Sequence, residues 1–181
     1  MQMVYELKRL AKEDGSWDVF YAGWAAQCVE VNDDIADFAT SSLPVLEDIA
    51  AENDANTYVV GLFENARCLA VAMVNRANIP GPPGWTLRVR HVVACPLLDF
   101  GALSETLYAE MLVELTLGIV QLSDTSLPTE RVKFHLRSPG DYAYFASFGR
   151  LLDKMGVFAS CTMHGAWLHI EKGKCPSLAL A

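Results

Sequence analysis

The stretch WTLRVRHVVACPLLDFGALSETLYAEMLVELTLGIVQL, Trp85 to Leu122, constrains the fold of this chain more than any other part of it. Trp85 to Ala94 is rich in β-branched and apolar residues and predicts a strand. A short turn through Cys95, Pro96 and Gly101 follows. From there apolar residues recur at helical spacing, with Leu103, Leu107, Met111, Leu115 and Leu122 toward a core and Glu105, Glu110, Glu114 and Gln121 left for water or a partner. A strand that passes through a glycine-containing turn into a helix presents backbone N–H groups at the helix start, where an anionic ligand binds. Alternation within the strand puts Leu87, Val89, His91 and Val93 on one face and Arg88, Arg90 and Val92 on the other.

The rest of the chain supplies companions for that unit. Met3–Leu10 predicts a first, edge strand, broken by Asp14-Gly15-Ser16. Trp17–Val31 predicts a helix with Phe20, Tyr21, Trp24, Ala25, Cys28 and Val31 on one stripe, and a second helical region is expected through Ile35 and Phe38 to Ala39. Ser41-Ser42 before Leu43-Pro44 reads as another helix start, since Ser caps and Pro suits a first turn. Tyr58–Phe63 and Cys68–Val74 predict a hairpin, followed by a stiff loop over Ala77–Gly84. Arg131–Leu136 alternates, with Val132, Phe134 and Leu136 inward and Lys133, His135 and Arg137 outward. Ser138–Asp141 starts a helix that ends at Gly156, and Val157–Met163 with Ala166–Ile170 predicts a hairpin turning at His164-Gly165. The order gives an α+β (mixed α/β) fold, one largely antiparallel sheet with helices on both faces. A single domain over residues 1–172 and a loose tail over 173–181 are expected.

Composition narrows the function classes. Five Cys, an odd number with no C-x-x-C pair, argue against a disulfide framework or a zinc site, and no metal-ligand spacing is present. No apolar run approaches the ~20 residues of a membrane span, and no secretory segment is read, so a soluble, cytoplasmic protein is expected. Residues 1–56 hold twelve Asp and Glu against three Lys and Arg, a net charge of -9, while residues 57–181 are near neutral. This balance disfavours nucleic-acid binding. The acidic front reads first as solvated helix faces, with Glu47 and Asp48 as the alternative site for a cationic partner.

Two segments resemble the GNAT superfamily of N-acetyltransferases. Leu151–Phe158, LLDKMGVF, is similar to the family's segment before its last hairpin, and His91-Val92-Val93-Ala94-Cys95-Pro96 is similar to its fourth strand. The likeness extends over nearly the whole chain. It implies acetyl-coenzyme A as co-substrate, lying in a cleft beside a bulge of that strand, with Val92, Val93, Ala94, Gly101 and Ala102 as cofactor-binding residues. It also implies direct acetyl transfer to an amine on a small molecule or a protein. Two positions depart from the pattern. The slots of the family's pyrophosphate loop hold Asp99, Phe100, Gly101 and Ala102, of which only Ala102 fits, and the family's thiolate-protonating Tyr corresponds to Leu152.

Amine acylation needs a base for the ammonium proton and an acid for the leaving thiolate. His91 is the candidate base, set against a core histidine beside Val89 and Val93. Tyr142 and Tyr144 are the candidate acids. Cys95 reads as a small buried filler rather than a nucleophile. The alternative to the enzyme is an inert GNAT-fold structural or interaction protein, such as a phage virion or accessory protein, which the worn loop and the missing Tyr also fit. Exposed sheet edges leave room for a homodimer or larger assembly.

Overall fold

The computed structural model describes residues 4–80, 83–136, 145–147, 149–150 and 158–173. Its elements run β1 (Tyr5–Leu10), α1 (Ser16–Glu30), α2 (Leu43–Ala51), β2 (Thr57–Glu64), β3 (Arg67–Asn78), β4 (Trp85–Ala94), α3 (Pro96–Asp99), α4 (Glu105–Leu122), β5 (Arg131–His135), β6 (Ser160–His164) and β7 (Trp167–Glu171). The strands form one sheet in the order β1-β2-β3-β4-β5-β7-β6. All neighbours are antiparallel except β4 and β5, which are parallel. The expected fold, a largely antiparallel sheet with helices on both faces, is the observed one.

The helices sort to opposite faces by strand alternation. Leu7 of β1 lies against α4, where a Cβ on Gly118 would stand 3.2 Å from the Leu7 Cβ. Leu10, three residues on, points to the other face, which α1 and α2 cover through contacts with β1, β2 and β3. The core between them is dense. Trp17, Phe20, Trp24 and Cys28 of α1 are buried, and the Trp24 indole Nε1 donates to the Cys68 carbonyl at 3.0 Å. Edge-on aromatic contacts continue from Phe20 to Trp24 (4.7 Å between centroids) and from Trp24 to Phe38 (5.9 Å).

Several elements differ from the sequence expectation, each for a local reason. Ile35–Ala39 is a series of turns, not a helix. The Asp34 carboxylate takes the Ala36 N–H at 2.9 Å, an Asx-turn, and Ala39 adopts φ 49, which no helix continues through. The hairpin forms as expected, but its strands extend to Glu64 and from Arg67, so the turn is Asn65-Ala66 with Asn65 at φ 56, and β3 runs on to Asn78. Ala77 and Asn78 pair with Thr86 and Trp85, so they belong to the sheet and not to the Pro-rich loop. Cys95–Gly101 is not an open turn. Pro96 at the first helical position starts the short α3, and α4 begins at Glu105, later than the start expected directly after Gly101. The buried side of α4 also includes Leu112, Thr116 and Ile119, because this helix is apolar on more than one stripe. β6 starts at Ser160 and β7 at Trp167, so the two-residue turn between them is Gly165-Ala166, with Gly165 at φ 58. The tail beyond Gly173 lies outside the described residues, as do Tyr142, Tyr144 and most of the helix expected after Asp141.

Candidate functional site

The ladder between β4 and β5 is short. Thr86, Leu87, Arg88 and Val89 pair with Arg131, Val132, Lys133 and Phe134, and there the pairing stops. β4 continues to Ala94 while β5 ends at His135, whose neighbour Leu136 donates its N–H to the Ala166 carbonyl instead. Among the described residues, the segment from Arg90 to Ala94 therefore has no strand paired to it on the β5 side. Among the described residues the sheet thus splits between β4 and β5 beyond Val89.

The other edge of β4 carries the second feature. Met73 pairs with Arg90 and Val71 with Val93, so His91 and Val92 together face the single residue Ala72. This is a β-bulge, with His91 at φ 50 in the left-handed region that His visits more readily than most side chains. The extra residue bends β4 away from β5 and shifts the alternation beyond it. His91 is consequently not on one face with Leu87 and Val89, both fully buried; it is half-buried and reaches toward α2. Its Nδ1 stands 3.3 Å from the Ser42 Oγ. Ser42 occupies the N-cap position of α2 without a side-chain capping bond, and its buried hydroxyl meets the histidine of the bulge instead.

Val92 and Val93 are half-buried beside the split, and Ala94 is buried. Gly101, at φ 70, closes α3 by donating its N–H to the Leu98 carbonyl, and Leu103 N–H goes to Leu97. At the start of α4 the Ser104 Oγ accepts from Leu107 N–H at 3.2 Å. Phe100, half-exposed, rests on Phe38, which ties the connection between α1 and α2 to this loop. Cys95 is fully buried and burial raises its thiol above the ordinary range, as expected of a packing residue and not of a nucleophile. Glu47, weighed as a site for a cationic partner, forms an ion pair with Lys12 at 2.5 Å.

The fit to a coenzyme A thioester is therefore divided. A slot bordered by unladdered backbone suits the pantetheine arm. The end that would meet a diphosphate does not suit it: no Lys, Arg or His occurs from Val92 to Glu130, and Asp99 and Glu105 stand on either side of the Gly101 turn.

The structure brings His91, Val92, Val93 and Ala94 to one place and leaves Gly101 and Ala102 on the adjoining loop. It also adds residues that the sequence reading did not place. Arg90 extends from β4 past the split, its guanidinium carbon 5.3 Å from the centre of the Trp167 ring on β7, and Trp167 in turn lies 4.7 Å from the His135 ring. The outward alternation of Arg88, Arg90, Lys133 and His135 was visible in the sequence; their adjacency depends on a register that only the folded sheet supplies.

No protein-family model matches the chain, and no curated protein matches it by sequence. Solved structures do resemble it. A probable acetyltransferase from Staphylococcus epidermidis is 14% identical, with a TM-score of 0.55 over 94% of this chain and 100% of the other. An integron cassette protein from the mobile metagenome of V. cholerae is 13% identical, with a TM-score of 0.51 over 86% of each. An aminoglycoside N(6')acetyltransferase from Legionella pneumophila is 14% identical, with a TM-score of 0.50 over 95% of this chain and 93% of the other. These likenesses, added to the split and the bulge of the fourth strand, show that the chain has the fold of the GNAT N-acetyltransferases.

Proposed function

We propose that the protein transfers an acetyl group from acetyl-coenzyme A directly to an amine acceptor. The observation that carries this reading is the split: four residue pairs join β4 to β5, and among the described residues no strand pairs with the remaining half of β4 on that side. Bound there, acetyl-coenzyme A supplies an activated carbonyl next to a thiolate leaving group. Backbone from Val92 to Ala94 holds the thioester arm by adding main-chain hydrogen bonds along the free edge. His91 accepts the proton that the acceptor ammonium releases, with Ser42 fixing its ring through Nδ1. As the new C–N bond forms and the C–S bond breaks, Tyr142 or Tyr144 gives its proton to the sulfur. The acceptor belongs to the broad class of amines, as does the aminoglycoside of the Legionella enzyme's name.

A second reading, an inert GNAT-fold interaction protein, is favoured by one specific observation, the run from Val92 to Glu130 without a basic side chain. Melting separates the two. A ligand bound only by the native state at 100 times its dissociation constant adds about 2.7 kcal/mol, which for a domain of this size raises the melting temperature by about 5 to 10 °C. Acetyl-coenzyme A should produce that rise, and His91→Ala should lower turnover by about 100-fold with the melting temperature retained. A melting curve that millimolar acetyl-coenzyme A leaves unmoved decides for the inert protein.

A further inference from the structure

The face of the sheet opposite α4 carries a group of cations beside the split that the transfer step does not use. Pairing of β4 with β5, of β5 with β7 and of β7 with β6 aligns Arg88, Lys133, His169 and Thr162 in one row across four strands. The next row toward the opening holds His135, Trp167 and His164, with Arg90 two residues beyond Arg88 on β4. At ~4.8 Å per strand the row from Arg88 to His169 spans about 10 Å, the length of a small molecule. The sheet contacts of α1 and α2 fall mainly on β1, β2 and β3, so these helices lie chiefly over the other half of the sheet.

These side chains are crowded and short of counter-charge. Arg88 is held by the Asn75 Oδ1, a neutral acceptor. Lys133 makes no ion pair or hydrogen bond among the described residues. The Arg90 Nε is buried with no hydrogen-bond partner. Arg131, one row below, is engaged by the Pro83 and Gly84 carbonyls at 2.7 and 3.1 Å. Glu171 of β7, paired across from Arg131 and exposed, is the carboxylate that faces the group. Burial, then Arg131 and Arg88, holds the Lys133 ammonium below its usual range, and burial, then Arg90, does the same to Arg88. Burial, then Lys133 and His164, drives the His169 imidazole down to about 4, with Glu171 opposing. An anion laid on this row would offset the like-charge repulsion among these cations. A long polyanion is disfavoured, because the front third of the chain carries a net charge of -9.

We propose that the acceptor is an anionic amine, one whose amino group lies close to a carboxylate or a phosphate, with the anion received by Arg88, Lys133 and Arg90 while the amine enters the split toward His91. The proposal rests on the acyl-transfer reading for the word acceptor; the anion site stands on the geometry alone. A polycationic amine would meet like charge on this face.

The test uses the full chain and four amines: β-alanine, with a single carboxylate near its amino group, O-phosphoethanolamine, with a single phosphate there, β-alanine amide, which carries no anionic group, and the polycation L-lysine amide. Without any acyl donor, the two anions should raise the pH midpoint of the His169 ring resonance, and whichever binds more tightly identifies carboxylate or phosphate as the recognised group. Lys133→Gln should weaken that binding about tenfold with melting unchanged; Arg88→Gln is the second variant. With acetyl-coenzyme A, release of free thiol should be at least tenfold faster with an anionic amine than with lysine amide, and Lys133→Glu should reverse the order. Anion binding without turnover on any amine supports the anion site and removes acyl transfer. Turnover that favours lysine amide and ignores Lys133→Glu keeps acyl transfer and overturns the anionic acceptor. An unmoved His169 midpoint, or tighter binding of a short oligonucleotide than of either anion, also overturns it.

Discussion

The two halves of the sheet are finished by different means. β1, β2 and β3 have helices on both faces, α1 and α2 on one and α4 on the other, and the side chains they bury are apolar: Val59, Leu62, Leu69, Val71 and Val74 are buried together with Trp17 and Trp24. β4, β5, β7 and β6 bury Leu87, Val89, Val132, Phe134, Leu168 and Ile170 on one face and present Arg88, Lys133, His169 and Trp167 on the other. Hydrophobic burial stabilises the first half from both sides and the second from one. A sheet arranged so keeps its rigidity in one half and leaves the other half free to carry a split, a bulge and unpaired charge, features that cost stability and that a binding site requires.

Substitutions in the first half should therefore act on stability and those in the second on binding. Trp24→Ala tests the covered half hardest. It removes a fully buried ring and leaves the Cys68 carbonyl without its donor, so chemical denaturation should show a loss of about 3 to 5 kcal/mol. A loss below 1 kcal/mol would mean that α1 is not part of the cooperative core. Ser104→Ala lies between the two regions, at the loop that leads from the split into α4. Its Oγ caps Leu107 N–H, and removing it should cost about 1 kcal/mol in the same experiment. If acetyl-coenzyme A binding improves in this variant, the helix start takes part in holding the diphosphate.

The pH-dependent effect belongs to the open half. His169 is protonated more readily in the unfolded chain than in the folded one, where its midpoint is about 4. Between the ordinary histidine value near 6.5 and that midpoint the unfolded state binds more protons, so stability falls as pH is lowered through this window and rises as pH increases. His169→Gln should flatten this part of the pH profile and leave stability at pH 8 nearly unchanged. A profile that keeps its slope would place the responsible group elsewhere.

Local chemistry made much of the fold legible. β4 runs from Trp85 to Ala94 as its composition predicts, the Asn65 turn and the Gly165 turn fall at residues that tolerate positive φ, and β5 alternates as read. The bulge was implied by the family resemblance but not marked by the residues themselves, because one inserted residue leaves the composition of a strand unchanged and no Gly or Pro stands at it. Its position becomes defined only when Ala72 is seen opposite two residues of β4. Ile35–Ala39 misleads for a related reason: Phe38 has the spacing of a helical core residue, yet its burial comes from docking between Trp24 and Phe100 across a turn. The cationic row was half legible. Alternation marks Arg88 and Lys133 as facing away from the core, but which strand lies beside which is a long-range property, and the parallel pairing of β4 with β5 joins residues 45 apart in sequence. Candidate residues Tyr142 and Tyr144 lie outside the described residues, so the acid of the proposed reaction stays with the proposal.

The position of β7 affects how the molecule is made. This strand, the last of the described ones in sequence, is an interior strand seated between β5 and β6. A ribosome emitting the chain from its front delivers β1 through β4 with their helices early, and that portion can collapse while synthesis continues. The right-hand side of the sheet must wait for Trp167 to Glu171 to emerge. Until then β5 offers an unguarded edge to any other nascent polypeptide, so a stall or stop codon shortly before Trp167 should yield a product that is compact at one end and prone to aggregate at the other.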